Sequence, residues 1–236
     1  MSTLAELAAL FHLSLTQQQL DRFRRYRELL QIWNERFNLT AIRTTPEIEL
    51  RHFLDALTCA TVTGNLDGKR LIDVGTGAGF PGLPLKILYP DLQLTLVEST
   101  KKKARFLEAV VLELALAGVQ ILAERAETVG QQPEHREQYD WAVARAVAAL
   151  PILVEYLLPL CRVGGHALTQ KGESAGHETA AARRAIQLLG GGEAQLHPIQ
   201  LPGRAETHYL VLIPKIAVTP SAYPRSPGRP AKQPLG

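Results

Sequence analysis

The chain is poor in sulfur and has no long apolar run. Its 236 residues include 2 cysteines and 1 methionine. Cys59 and Cys161 stand alone, with no C-x-x-C spacing and no third thiol, so neither a disulfide framework nor a thiolate metal site is supported. They are expected to be reduced, buried thiols of an intracellular protein, and no metal is expected. No uninterrupted apolar stretch approaches the ~18 residues that span a bilayer. The N-terminus lacks the basic flank and apolar core of a secretory signal. A soluble, cytoplasmic protein with no membrane partner is the expectation. Neither sign of charge is in large excess: 26 basic residues against 23 acidic ones give +3. Where the cations sit therefore matters more than their sum.

What is present is enough chain for one sizeable α/β core and a smaller appendage, with 46% hydrophobic and 21% charged residues. The most informative stretch is Leu71-Ile72-Asp73-Val74-Gly75-Thr76-Gly77-Ala78-Gly79-Phe80-Pro81-Gly82. It starts as an apolar run of strand character and drops into four glycines within eight residues. Pro81 is suited to the first turn of a following helix, where its missing N–H has no partner to lose. Strand, glycine loop and helix N-terminus form a nucleotide-type site at the carboxyl edge of a parallel sheet. Residues 77–82 also fit the G-x-G-x-x-G dinucleotide fingerprint, which is weak alone. Asp73, two residues before Gly75, tilts the pattern: Asp-x-Gly-x-Gly-x-Gly resembles the first motif of Rossmann-like S-adenosylmethionine (AdoMet) methyltransferases.

Residues 1–63 form an N-terminal helical region. Thr3 to Glu6 and Thr16 to Gln19 read as capping boxes, and Leu20, Phe23, Leu30, Trp33 and Phe37 recur at helical spacing. A third helix opens with Thr45 as cap and Pro46 at its first position, and places His52 and Asp55 on one face. Residues 64–216 alternate strand and helix. Strands are expected at Arg70–Val74, Gln93–Glu98, Val119–Leu122, Asp140–Ala144 and His166–Gln170. The helices between them run from Pro81, Thr100, Leu150 and Gly176, the second reaching Gly118. Such spacing implies parallel pairing with right-handed crossovers. Ala194–Leu201 and Thr207–Pro214 are joined too tightly for a crossover and pair antiparallel. Residues 217–236 form a basic, proline-rich tail without an acid, the composition of a disordered terminus or of an RNA contact.

Along the sheet edge, Glu98 closes the second strand, 23 residues after Gly75, where a carboxylate accepts ribose hydroxyls. Ala126 and Glu127 follow the third strand, where an adenine edge is expected. Arg145 ends the fourth strand beside the glycine loop. For Glu127 and Arg145, a surface acid and a plain ion pair remain the competing readings.

Asn38-Leu39-Thr40, Arg51-His52-Phe53-Leu54-Asp55, the glycine loop with its Gly79-Phe80-Pro81-Gly82 ending, Leu96-Val97-Glu98-Ser99, Lys102-Lys103, Arg145-Ala146, Gln170-Lys171-Gly172 and Tyr223-Pro224-Arg225 occur in that order. Across essentially the whole chain this resembles the bacterial RsmG family, also called glucose-inhibited division protein B. The resemblance implies a Rossmann-like AdoMet-dependent methyltransferase fold with a mostly parallel sheet, an antiparallel end hairpin and an N-terminal helical extension. It also implies an enzyme that makes 7-methylguanosine in 16S rRNA. Cofactor contacts are then expected at Asp73, Gly75, Gly77, Gly79, Phe80, the Glu98-Ser99-Thr100 turn, Ala126, Glu127 and Arg145. Ala78 stands where some relatives carry proline.

Guanine N7 carries a lone pair, so its methylation needs no proton removal, and no general base is assigned to His52. Asn38, His52 and Asp55 are the candidates for the guanine pocket. Phosphates are expected at Arg43, Arg51, Lys102, Lys103, Lys171 and Arg225, with the arginines of the second helix, Lys101, Arg105, Lys215, Arg229 and Lys232 as further cations. The expected partner is 16S rRNA or the small ribosomal subunit, mature or partly assembled, and the expected state is a monomer. An NAD-dependent oxidoreductase shares the glycines and the strand-two acid but needs a second mononucleotide half. A non-catalytic RNA-binding protein on the same fold is the other alternative.

Overall fold

The computed structural model describes residues 3–235. One long helix and several short ones build the N-terminal region. Helix α1 (Leu4–Ala9) and α2 (Gln17–Phe37) each begin at the expected capping box, on Thr3 and Thr16. Helix α2 ends at Asn38, whose φ of 47° is a left-handed cap that asparagine tolerates. The next stretch is more broken than its periodicity suggests. Helix α3 (Thr45–Ile48) is capped one residue early, by Thr44. It runs into a π-helical turn (Glu49–Leu54), then α4 (Asp55–Leu57) and α5 (Ala60–Thr63).

The β/α alternation follows as β1 (Arg70–Val74), α6 (Gly82–Leu88), β2 (Gln93–Val97), α7 (Lys101–Glu113), β3 (Val119–Leu122), α8 (Ala126–Val129), β4 (Tyr139–Arg145), α9 (Leu150–Leu157), β5 (Cys161–Lys171), α10 (Ala175–Leu188), β6 (Gln195–Ile199) and β7 (His208–Pro214). Pro81 is the cap of α6 and not its first helical residue. Helix α7 stops at Glu113, short of Gly118, because Ala115 turns left-handed at φ 48°. Strand β5 starts before His166, through Gly164-Gly165, and is out of simple register with β4 between Tyr139 and Trp141.

The strands lie in the order β3-β2-β1-β4-β5-β7-β6. The first five are parallel, and β7 runs antiparallel to both β5 and β6. The terminal hairpin thus stands where a dinucleotide fold would continue into a second mononucleotide half. Side chains alternate across the sheet as the pleat requires. Leu71, Trp141 and Val143 join α2, α6 and α7 on one face, while Ile72, Ala142 and Ala144 join α9 and α10 on the other. The N-terminal helices share the first of these cores with the sheet, through Phe23, Tyr26 and Phe53.

The tail has its own ordered path. Thr219 is buried, Arg136 donates to the carbonyls of Thr219, Pro220 and Tyr223, and a short helix α11 (Arg229–Lys232) ends the segment. The acids missing from its sequence are supplied by the rest of the chain. Among the described residues, no helix is long and apolar enough to cross a membrane.

Candidate active site

Strand β1 lies between β2 and β4, where the order of connections reverses, and a crevice opens outside the strand carboxyl ends there. The glycine loop is tied down by two bonds to the end of β2, Gly75 N–H and Thr76 N–H both donating to the Val97 carbonyl at 2.9 and 3.2 Å. A cleft of about 220 Å³ follows, bounded by Gly75, Glu98, Ser99, Ala126 and Glu127 together with Val147, Tyr156 and Ala231. A larger cavity of about 640 Å³ lies between α10 and β6, but none of the expected site residues borders it. The smaller cleft is therefore the candidate site.

Gly75 has φ +65°, and a Cβ there would come within 2.7 Å of Val147 Cγ2. Backbone and opposite wall are as close as glycine permits. The Glu98 carboxylate is buried and accepts Gly77 N–H (3.1 Å) and Thr100 N–H (2.7 Å). Two anchored oxygens still have lone pairs to offer. Across the cleft, buried Glu127 accepts Gly228 N–H through Oε1 at 2.8 Å.

Asp73 does not border the cleft. It is fully buried, and its Oδ2 accepts Thr76 Oγ1–H (2.6 Å) and Gly82 N–H (2.8 Å), fastening the loop to α6. Burial pushes its carboxyl up to about 6 against the pull of those two hydrogen bonds. Its Oδ1 is buried with no partner among the described residues. Gly77, Gly79 and Thr100 shape the loops instead of lining the opening.

Phe80 and Arg145 belong to a second cluster on the N-terminal side of the loop. The buried Phe80 ring stacks on His52 at 4.5 Å and 13°, and the Arg145 guanidinium lies 4.9 Å from its centroid. Arg145 donates to Asp55 Oδ2 (2.7 Å), to the Arg51 carbonyl (3.2 Å) and to His52 Nδ1 (3.2 Å). Guanidinium has only donors, so Nδ1 accepts, and the His52 proton sits on Nε2, facing Thr40 Oγ1 at 2.8 Å. Burial first, then the Arg145 charge, lowers His52 to about 4. Burial alone would raise Asp55, but His208 and Arg145 more than reverse it, holding the carboxyl below its usual range. The same contact raises His208, whose Nδ1 lies 3.4 Å from Asp55 Oδ1.

The structure thus joins His52 and Asp55 through Arg145, but not Asn38. Asn38 is exposed and its Oδ1 accepts from Arg43. Sequence reading missed Thr40, His208 and Gln170, whose Nε2 donates to the Asp55 carbonyl at 2.7 Å. It also missed Val147, Tyr156 and Ala231. Thr40 and Gln170 stood within motif strings of the resemblance and Val147 lies two residues past Arg145 at a strand end, whereas His208, Tyr156 and Ala231 carried no local signal.

The cations divide. Arg43, Arg51 and Lys102 are exposed and Lys103 half-buried. Lys171 instead pairs with Glu178 at 2.8 Å and donates to the Ala148 carbonyl. Arg225 grips the fully buried Glu155 through Nε (2.9 Å) and Nη2 (2.6 Å). Lys215 is itself buried, donating to the carbonyls of Leu158 and Leu189. These three cations are each bonded to groups of the chain itself. On α2, Arg24, Arg25 and Arg27 are likewise paired, with Asp21, with Glu28 and Glu113, and with Glu49.

Comparison with known proteins agrees with this architecture. A putative O-methyltransferase from Klebsiella pneumoniae shares the fold at a TM-score of 0.55 and 17% identity, over 83% of this chain and 90% of that one. A protein of Chloroflexus aggregans named ribosomal RNA small subunit methyltransferase G is 50% identical over 98% of this chain and 97% of its own. One of the same name from Roseiflexus castenholzii is 52% identical over the whole of both chains. The family described as rRNA small subunit methyltransferase G matches residues 19–205, and with it the glycine loop, Glu98, Glu127 and the His52, Asp55, Phe80 and Arg145 members of the second cluster. The chain belongs to the rRNA small subunit methyltransferase G (GidB) family.

Proposed function

We propose that the protein transfers the methyl group of AdoMet to N7 of a guanine in 16S rRNA. It acts as a cytoplasmic monomer on the small ribosomal subunit or a precursor of it. The observation that carries the reading is one cleft in which a close-approach glycine, Gly75, faces two separately anchored carboxylates, Glu98 and Glu127. The donor set fits the cofactor: Glu98 suits ribose hydroxyls, and Glu127 with the Ala126 backbone suits an aminopurine edge. Asp73, closed off from the cleft, braces the glycine loop that approaches the cofactor. When bound, AdoMet supplies an electrophilic methyl on a sulfonium.

The protein's part is orientation and exclusion of water. Placing N7 in line with the methyl contributes through lost translational freedom, without proton transfer. His52 fits that role and not that of a base: its Nδ1 lone pair is already taken by Arg145. Asp55, though paired with Arg145 and His208, leaves carboxylate density near a ring that becomes cationic on methylation. The guanine must leave its stack first, an unstacking cost offset by the pocket. Arg43, Lys101, Lys102 and Arg105 are exposed and Lys103 half-buried, all placed to meet phosphates, while Arg51 pairs with Glu47 at 3.6 Å.

The test is transfer of tritiated methyl from AdoMet to small subunits taken from cells lacking the enzyme, with mapping of the labelled nucleotide. Label at guanine N7 of 16S rRNA is expected. Incorporation into protein, or at another base, refutes the proposal.

A further inference from the structure

The cleft has a wall that its motifs do not provide. Ala231, near the end of the chain, borders it beside Tyr156, Ala126 and Glu127. Among the described residues, Gly228 N–H is the one hydrogen-bond donor to the Glu127 carboxylate, at 2.8 Å on Oε1.

This contact is secured from both sides. Upstream, Arg136 holds three tail carbonyls, and Gln131 Nε2 donates to the Pro224 carbonyl at 2.6 Å. Gly130 lies so close that a Cβ there would meet Pro224 Cγ at 2.7 Å. Arg225 docks on Glu155, which has no exposed surface, with its backbone N–H (2.8 Å) as well as its guanidinium, and Nη2 reaches on to the Gln233 carbonyl at 2.7 Å. Downstream, Leu235 packs with Tyr223 and Ala126 against the α9 side of the core. A buried carboxylate paired to arginine is costly to break, so the segment between Arg225 and Leu235 is pinned at both ends.

We propose that residues 226–232 are the outer wall of the adenosine end of the cleft, with Gly228 a positioning residue for Glu127. The C-terminal segment then governs cofactor affinity. Gly228 occupies Oε1 and leaves Oε2 as the oxygen available to a purine amine. Without the tail that carboxylate would turn freely and the cleft would open to solvent beside Tyr156. The proposal rests on the cofactor assignment above.

Calorimetric titration of the full chain with S-adenosylhomocysteine tests it. Ala231 is exposed on the tail side of the cleft, so Ala231→Trp fills the opening without disturbing the core. Its affinity is expected to fall roughly tenfold or more, whereas Gln233→Trp, exposed and outside the proposed wall, stays within about twofold of the unaltered chain. Amide exchange over 226–232 slows when ligand is added to the unaltered protein. Equal affinity in Ala231→Trp, or unchanged exchange in that segment, overturns the proposal while leaving the cofactor assignment standing. So does a loss of 16S rRNA retention in Ala231→Trp with S-adenosylhomocysteine affinity intact, which would make the tail an RNA contact. Absence of heat with the unaltered protein removes the cofactor assignment, and this inference with it.

Discussion

His52 is buried as a neutral ring that accepts a bond from Arg145, and this sets a measurable pH dependence. Its pKa is about 4 in the fold against 6.5 for the free group, a gap of about 2.5 pH units. At about 1.4 kcal/mol per unit, the ceiling is roughly 3 kcal/mol. The sign follows from which state takes the proton. Below 6.5 the unfolded chain binds it and the native ring does not. The contribution is therefore complete above 6.5 and is lost as pH falls towards 4. At about pH 5 the linkage relation gives a loss of about 2 kcal/mol. His52→Gln removes the titration, at a fixed packing cost from lost stacking on Phe80. Urea unfolding of both chains at about pH 7.5 and about pH 5 should show the stability gap between them narrowing by about 2 kcal/mol at the lower pH. Asp73, raised to about 6, works the other way, gaining stability as pH falls, but it is common to both chains and cancels in the difference. A gap that stays constant with pH would refute the neutral, Arg145-bonded ring.

Three further outcomes are expected. Gly75→Ala should abolish S-adenosylhomocysteine binding at a folding cost of roughly 1–2 kcal/mol for the left-handed backbone, and adding Val147→Ala should restore part of the binding in the same titration. Gly79→Ala should instead cost about 2–5 kcal/mol in urea unfolding, because its Cβ would lie 2.4 Å from Leu83 Cδ1 and 2.6 Å from the Tyr26 hydroxyl. Arg145→Ala should cost about 3 kcal/mol, the lower end of the range for a broken buried pair, because His208 still faces Asp55; Asp55→Asn in the same chain should recover part of that loss.

What the sequence disclosed was local. The glycine loop, the strand-end acid Glu98 and the hairpin announce themselves because glycine spacing, strand length and a short connection each act within a dozen residues. The Arg145 cluster did not, since its members lie about ninety residues apart and meet only when β4 reaches the sheet edge beside the π-helical turn. His52 and Asp55 do share a face, but the partner that gives the pair meaning is remote. The tail misled for the same reason. Its own composition has no acid to hold Arg225, and Glu155 comes from α9. Asp73 was legible as a motif member and not as a brace: its carboxylate turns inward to Thr76 and Gly82, away from the opening.

The two appendages divide the crevice between them, and the glycine string is where their demands meet. Gly75 is pressed by Val147 on the cleft side, and Gly79 by Tyr26 of α2 on the other. Tyr26 also donates to the Ala78 carbonyl, so the N-terminal helix grips the loop backbone between two glycines. Phe80, one residue on, carries His52 and Arg145 on its ring. The loop is therefore clamped from the N-terminal side at 78–80, while its cleft face at 75 meets walls set by β4 and, across the opening, by the tail. A single run of glycines thus serves two masters: one position admits a ligand, another admits a helix. Disturbing the N-terminal helices should then reach the 78–80 side of the loop first, and disturbing the tail the cleft side at 75. The physical basis is that a packed interior transmits displacement through contact, and these two sets of contacts meet at the loop and at the end of β4.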